Sequence, residues 1–436
     1  MPDSAGQIMI SRLLNILAIL TVALSTHATK FYKPKPLHII EGPAAKPWQS
    51  IEKHRDYHPR FSRTPFHPKL SQLYPQTREA FGSETPPDRD FLLYLAKGWD
   101  KTSGVPVLLV HGANDDATRR WAYPTSRFSG DHTKVPGLMQ HLSERGLSVF
   151  GISFSHYHGD NLFQGEHIAN AILRIRKLLN RESDSSFKID VVSYSKGAMA
   201  VRAYVQSASE YYHKKFLTPY KGDVRRICFV GGPIGGLDLP FRYYLYNLNI
   251  QVRELPAPMG ASAMRAGMLM KKTGINHIQS GYWPGQMQMI HDQRLLGIPF
   301  GPLSLTLDAN QTGRALVEGG NSTFLKSAGL EAARKAGGRM IEVLNSRGLP
   351  RDVEAILIGG TMPILFDEVH PNWPFPEGAQ IIAPNDGLVF LKSALYVDGL
   401  TAQGAKILDT KAFALNHLGL SRNTAVYDYI YQKLNQ

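Results

Sequence analysis

Short apolar runs alternate with amphipathic segments over much of the chain. Six runs have the length of strands buried on both faces: residues 105–110, 147–152, 189–193, 226–230, 354–358 and 379–382. Three segments between them have apolar positions at helical spacing: residues 135–145, 167–180 and 198–209. Fully apolar strands separated by amphipathic helices are typical of a mostly parallel sheet flanked by helices. The pattern therefore predicts an α/β fold.

The first 28 residues have a different pattern. Arg12 is followed by twelve mostly apolar residues and then by small residues that end at Ala28. This is the layout of a secretory signal peptide, and the run is too short for a bilayer, which needs about 20 residues. We expect residues 1–28 to be a signal peptide and the protein to be secreted or periplasmic. An uncleaved anchor and a buried helix are the alternatives.

Two further segments depart from the alternation. Ten of the 28 prolines lie between Pro34 and Pro87, and proline donates no hydrogen bond to a sheet. Residues 29–100 are therefore expected to form an extended N-terminal arm over the surface, with strands limited to pieces such as 90–95; a solvated linker is the alternative. Residues 237–345 lose the alternation and hold six of the twelve methionines within 259–289. The core is then expected in two parts, residues 101–236 and 346–436.

A candidate nucleophile stands at the end of the third apolar run. The run passes directly into Ser193-Tyr194-Ser195-Lys196-Gly197 and then into a helical pattern. A nucleophilic serine on a sharp strand-to-helix turn needs small residues two positions before and after it, and Ser193 and Gly197 are small. The pattern predicts Ser195 as the nucleophile. The backbone N–H of Lys196, at the helix start, is then the natural donor to an oxyanion.

Three other residues complete this hypothesis. His111-Gly112 ends the first apolar run, which makes the N–H of Ala113 the second oxyanion donor. Asp386 lies in a turn after a predicted strand, and His417 lies in a loop before the last helix. A histidine can take the serine proton and return it to the leaving group, while the carboxylate orients the ring. The rivals for the last two roles are Asp367, Asp398, Asp409 and His370.

On these motifs the chain resembles the secreted bacterial triacylglycerol lipases and esterases of the α/β-hydrolase superfamily, with the polyhydroxyalkanoate-depolymerase-like esterases nearby. The matching segments are residues 107–116 with Trp121, 189–204, 229–237 and 385–420. The resemblance implies an α/β-hydrolase fold, an acyl-enzyme mechanism with Ser195, Asp386 and His417, and a cap or lid formed by residues 237–345.

Two residues depart from the usual pattern of that group. Ser193 replaces a glycine, and Lys196 replaces an apolar or neutral residue. A lysine at a helix start slightly opposes the helix dipole. Its side chain is expected either to be solvated or to attract an anionic acyl group.

Composition narrows the function classes. The chain has 436 residues, 43% of them hydrophobic, and a net charge of +13 from 49 basic and 36 acidic residues. One cysteine, Cys228, excludes an intramolecular disulfide and a cysteine-based zinc site. The basic residues are dispersed and accompany no nucleic-acid motif, so the charge favours contact with an anionic membrane or envelope. No metal and no cofactor are expected.

Three other functions are alternatives to a lipase or esterase. Extracellular polyester depolymerisation would use the same residues on a different ester. A non-catalytic envelope-binding protein could use the same scaffold. A penicillin-binding or β-lactamase activity would use Ser193 and Lys196 as Ser-x-x-Lys, but residues 197–271 contain no Ser-x-Asn. The expected substrate is therefore a lipid or another carboxylic ester.

Overall fold

The computed structural model describes the greater part of the chain. The described residues are 31–61, 63–66, 74–102, 104–124, 135–238, 241, 268–269, 283–300, 314–315, 317–321, 326–363 and 383–436. The predicted signal peptide and the predicted strand at 379–382 lie outside them. Within the described residues, no helix combines the length and apolar character needed to cross a membrane.

A nine-stranded sheet organises the molecule. Its strands in chain order are β1 (His38–Glu41), β2 (Ser50–Arg55), β3 (Asp90–Leu95), β4 (Val107–Val110), β5 (Val149–Phe154), β6 (Ile189–Tyr194), β7 (Val224–Val230), β11 (Glu354–Gly360) and β12 (Lys406–Phe413). The order across the sheet is β1-β2-β3-β5-β4-β6-β7-β11-β12. All pairs from β5 to β12 are parallel, and those from β1 to β5 are antiparallel. Three two-residue strands form a second sheet: β8 (Met268–Leu269), β9 (Gly320–Asn321) and β10 (Lys326–Ser327).

Helices cover both faces of the main sheet. They are α1 (Pro75–Phe81), α2 (Leu138–Ser143), α3 (Asn161–Leu178), α4 (Gly197–Val205), α5 (Ala208–Tyr211), α6 (Pro284–Met287), α7 (Leu330–Ala336), α8 (Met340–Arg347), α9 (Leu391–Ala394), α10 (Asp398–Thr401) and α11 (Thr424–Leu434), with a π-helix at Thr118–Ala122. Short 3-10 helices occupy Gly42–Ala44, Gln293–Leu296 and Gly419–Ser421.

The alternation of side chains along each strand divides the core in two. On β7, Ile227 and Phe229 join the cluster that contains α3 and α4, whereas Cys228 and Val230 join the cluster that contains α2 and α11. Successive side chains of a strand point alternately into these two buried clusters, so a central strand needs an apolar residue at every position. This is the reason for the continuous apolar runs in the sequence, and the predicted α/β class is confirmed.

Helix boundaries differ from the predicted ones for local reasons. α3 begins at Asn161, because the side chain of Asp160 accepts a hydrogen bond from the N–H of Leu162 (2.8 Å) and caps the helix. The predicted helix at 198–209 is divided into α4 and α5, because Ser207 between them has a positive φ of 47°. The expected helix at 135–145 is shorter and spans Leu138–Ser143.

The segment 29–100 contains more sheet than the sequence predicts. β1, β2 and β3 extend the main sheet on one side as three antiparallel strands, and β3 is buried along its whole length. The prolines lie outside these strands: Pro34 and Pro36 precede β1, Pro43 and Pro47 lie between β1 and β2, and the other six lie between β2 and β3. The proline-based prediction of a mostly strand-free arm is therefore wrong for residues 38–41 and 50–55.

Candidate active site

Ser195 occupies the sharp turn between β6 and α4. Its φ is 51°, in the left-handed region that non-glycine residues rarely adopt. Gly197 permits this turn, since a Cβ there would come within 2.5 Å of the carbonyl oxygen of His111. Ser193 is fully buried on the strand side, and its hydroxyl has no hydrogen-bond partner among the described residues. The turn therefore presents Ser195 at the carboxyl end of the parallel strands.

A line of hydrogen bonds joins Ser195, His417 and Asp386. Ser195 Oγ lies 2.9 Å from His417 Nε2, and His417 Nδ1 lies 2.7 Å from Asp386 Oδ2. A carboxylate can only accept, so Nδ1 carries the hydrogen of that bond and leaves Nε2 free to accept from the serine hydroxyl. These three residues, predicted from motifs up to 222 positions apart, lie together in the structure.

Asp386 is held rigidly behind the histidine. Its Oδ1 accepts hydrogen bonds from the N–H groups of Leu388 (3.0 Å) and Val389 (2.7 Å), and its carbonyl oxygen accepts from His417 N–H (2.7 Å). The carboxyl group is fully buried with both oxygens bonded. Gly360, at the end of β11, lies against it, since a Cβ there would be 2.8 Å from Asp386 Cβ.

The rival residues for the acid and base roles lie in other parts of the fold or outside the described residues. Asp398 begins α10, and Asp409 lies on β12, where it pairs with Lys433 at 2.8 Å. Asp367 and His370 lie outside the described residues. Of the candidates that can be compared, Asp386 is the carboxylate that bonds to His417.

The two predicted oxyanion donors flank the serine turn. The loop after β4 passes directly over it: a Cβ on Gly112 would be 2.9 Å from Ser195 Cβ and 3.1 Å from the carbonyl oxygen of Tyr194. Ala113 follows in this loop, and Lys196 follows Ser195. Neither backbone N–H donates to an acceptor within the described part of the chain. Both remain available to a bound oxygen.

The side chain of Lys196 is buried. Only 1% of it is exposed, and its Nζ donates a hydrogen bond to Oε1 of Gln164 on α3. Burial lowers the pKa of this amine to about 7, opposed by the charge of Asp160. The expectation of a solvated lysine is wrong, because the segment after residue 283 covers it.

Arg120 and Asp115, to which the sequence patterns assign no role, connect these loops. Arg120, in the π-helix, pairs with Asp115 in the loop that carries Ala113, and donates to the hydroxyl of Ser421 beyond His417. Its guanidinium lies 4.3 Å from the ring centre of Tyr194, the residue before the serine. The usable sequence signal was an acid followed by a base five positions later.

No metal centre is formed by the described residues: they contain no group of three or more His, Cys, Asp or Glu side chains that could hold an ion. His156 and His158 lie in the buried loop between β5 and α3. Burial lowers the pKa of His156 to about 3 and that of His158 well below its usual range, so both rings are neutral at neutral pH.

Part of the chain is similar to a known protein family. The class 2 lipase family model matches residues 104–237, a little under a third of the chain. No curated protein matches the sequence.

Several solved structures are similar at low identity. Lipase BlEst2 of Bacillus licheniformis in its mature form is 15% identical, with a TM-score of 0.36, over 76% of this chain and 91% of that one. A soluble variant of monoglyceride lipase from Saccharomyces cerevisiae is 14% identical, with a TM-score of 0.38, over 79% and 91%. EstA from Clostridium botulinum is 12% identical, with a TM-score of 0.38, over 76% and 86%.

The strand order, the serine turn between β6 and α4 and the family match concern the same part of the molecule. In this architecture the nucleophile, acid and histidine follow one another in the chain in the order that Ser195, Asp386 and His417 have here. The chain thus has the architecture of an α/β-hydrolase fold, and residues 104–237 are similar to the class 2 lipases.

Proposed function

We propose that the protein is a serine hydrolase of carboxylic esters, a lipase or esterase that works through an acyl-enzyme. The observation that carries the proposal is the line of hydrogen bonds from Ser195 Oγ to His417 and on to Asp386. A neutral serine is a poor nucleophile, and this arrangement supplies the adjacent base that activates it.

The first half of the reaction forms the acyl-enzyme. Ser195 Oγ attacks the ester carbonyl carbon while His417 Nε2 takes the hydroxyl proton, and Asp386 stabilises the resulting imidazolium. The carbonyl oxygen becomes an oxyanion that accepts hydrogen bonds from the N–H groups of Ala113 and Lys196. His417 then returns the proton to the leaving alkoxide, the C–O bond breaks, and the alcohol departs.

The second half reverses these roles with water. His417 removes a proton from water, the hydroxide attacks the acyl carbon, and the same two N–H groups receive the second oxyanion. The bond to Ser195 Oγ breaks as His417 returns the proton to it. Carboxylic acid and free enzyme result, and no cofactor takes part.

Covalent labelling tests the proposal. A fluorophosphonate probe is expected to label the wild-type protein and the Ser193→Ala variant, but not Ser195→Ala. Hydrolysis of p-nitrophenyl butyrate and palmitate should fall by about 10⁴-fold or more in Ser195→Ala, as in other serine hydrolases that lose the nucleophile. A folded wild-type protein that the probe leaves unlabelled would exclude the function. Labelling that depends on Ser193 would favour the Ser-x-x-Lys mechanism instead.

A further inference from the structure

Lys196 lies at a junction of three parts of the site. It follows the proposed nucleophile, its Nζ donates to Gln164 on α3, and Gly285 covers it from the other side. A Cβ on Gly285 would overlap Cε of Lys196 and come 2.7 Å from Nζ. The lysine side chain thus fills the space between α3 and residues 283–290, which we call the cover segment.

Hydrogen bonds fasten the cover segment around the amine. Gly285 N–H donates to the carbonyl oxygen of His158 (3.0 Å), and Asn161 Nδ2 donates to the carbonyl oxygen of Gly285 (2.8 Å). Gln286 bonds to the ring of His158 as well, and Gln288 Nε2 donates to Asp160 (2.9 Å). The segment is therefore held on the loop and helix that also surround Lys196.

Four titratable groups surround the amine. They are His111 at the end of β4, His156 and His158 in the loop after β5, and Asp160 at the start of α3. Burial lowers the pKa of all three histidines, that of His111 to about 4, so they are neutral at neutral pH. The cover segment itself contains no titratable side chain. Burial thus favours the neutral amine, and Asp160 is the anion that opposes it.

We propose that Lys196 is a positioning residue of the active site, whose buried amine fixes the backbone N–H that receives the oxyanion. The N–H and the side chain belong to one residue, so anchoring the amine between α3 and the cover segment restrains the peptide group after Ser195. The inference rests on the proposed function, since it assigns a role to the oxyanion donor of that reaction. A residue that acts this way stabilises the transition state more than the bound substrate.

The test compares Lys196→Met with wild type and with Lys188→Met, a matched control at a partly exposed lysine paired with Asp352. In Lys196→Met, kcat should fall about ten- to a hundredfold with KM changed less than about threefold, the loss typical of a small misplacement. Lys188→Met should keep both constants. A Tm of Lys196→Met at or above that of wild type would show that the loss does not come from unfolding.

The pH profile gives a readout that a merely structural role would not move. A protonated amine favours exposure to water, so protonation should release Lys196 from its buried site and lower kcat. This adds a second inactivating protonation, so on the acid side a plot of log kcat against pH should approach a slope of two in wild type and one in Lys196→Met. Gly285→Ala, which displaces the amine without removing it, should lower kcat as well. Equal kcat values and identical pH profiles for wild type and Lys196→Met would overturn the proposal.

Hydrogen exchange separates this proposal from the proposed function. Amides of residues 285–290 should exchange faster in Lys196→Met than in wild type, whether or not the protein hydrolyses esters. A wild-type protein without esterase activity and without probe labelling would overturn the proposed function and, with it, the assignment of an oxyanion donor. Unchanged hydrogen exchange in an active enzyme would overturn only the anchoring role of Lys196 and would leave the proposed function intact.

Discussion

The hydroxyl of Tyr194 donates a hydrogen bond to the backbone carbonyl oxygen of His417 at 2.8 Å, and the two rings lie 5.0 Å apart. The residue before the proposed nucleophile thus holds the loop that carries the proposed base. This single contact spans 223 positions of the chain and links the end of β6 to the segment after β12.

Removal of this hydroxyl should loosen the histidine loop. In Tyr194→Phe the buried carbonyl oxygen of His417 loses its donor, at a cost of about 1–3 kcal/mol in the free energy of unfolding. We expect kcat to fall about tenfold while KM stays close to the wild-type value. Urea unfolding and steady-state kinetics on p-nitrophenyl butyrate measure the two effects. Wild-type kcat in a destabilised variant would show that the contact serves stability only.

We expect Arg120 to contribute more to the stability of the fold than to the binding of substrate. In Arg120→Met the buried carboxylate of Asp115 loses its main partner, which costs about 3–5 kcal/mol when a buried pair is broken. Arg119 lies 3.6 Å from the same carboxylate, so we expect the lower end of that range. Urea unfolding measures the loss. The double variant Arg120→Met, Asp115→Asn should recover part of it, and no recovery would mean that the ion pair is not the cause.

Gly112 should tolerate no side chain. In Gly112→Ala the new Cβ meets Ser195 and Tyr194, so the loop with Ala113 must shift away from the serine turn. Loss of one oxyanion donor lowers kcat by about 10²–10³-fold in other enzymes, and we expect a fall of that order. Gly104→Ala, on an exposed loop with room for a Cβ, is the matched control and should retain wild-type kcat.

Glu166 should make stability depend on pH. Burial raises the pKa of this carboxyl to about 7, against hydrogen bonds from Thr218 N–H (2.6 Å) and Oγ1 (2.7 Å) that lower it. Between the ordinary value of 4.5 and about 7 the folded state binds more protons than the unfolded state, so stability falls as pH rises through that window. The effect is at most about 3 kcal/mol.

The measurement is the Tm of wild type and Glu166→Gln at several values between pH 4.5 and 8. Glutamine stays neutral, so the variant should lose less stability than wild type over this range. Two parallel curves would assign the pH dependence to other groups, such as Asp88 and Asp116, whose pKa burial raises to about 6.

The parts of the fold that the sequence predicted have local causes. The central strands are buried on both faces, which forces continuous apolar runs, and the serine turn needs small residues at fixed offsets from Ser195. Each of these two signals extends over no more than about ten residues of the sequence. The candidate nucleophile and its flanking strand and helix could therefore be found without any knowledge of the rest of the molecule.

The parts that were missed depend on distant neighbours. β12 is an edge strand with charged residues such as Lys406, Asp409 and Lys411, so it shows no apolar run. The buried side chain of Lys196 lies against Gly285, which is 89 positions later in the chain. Arg120 meets Tyr194 and Ser421 through tertiary contacts alone. Sequence spacing carries no information about such meetings.

The order in which the strands are synthesised determines when the candidate site becomes complete. The serine turn and the Gly112 loop are complete once β7 pairs with β6, but His417 follows β12, the last strand to be made. A nascent chain still lacking residues 406–434 has a serine without a base. Under the proposed function, ester hydrolysis therefore begins only after β12 and α11 are made, and the unfinished protein does not attack esters.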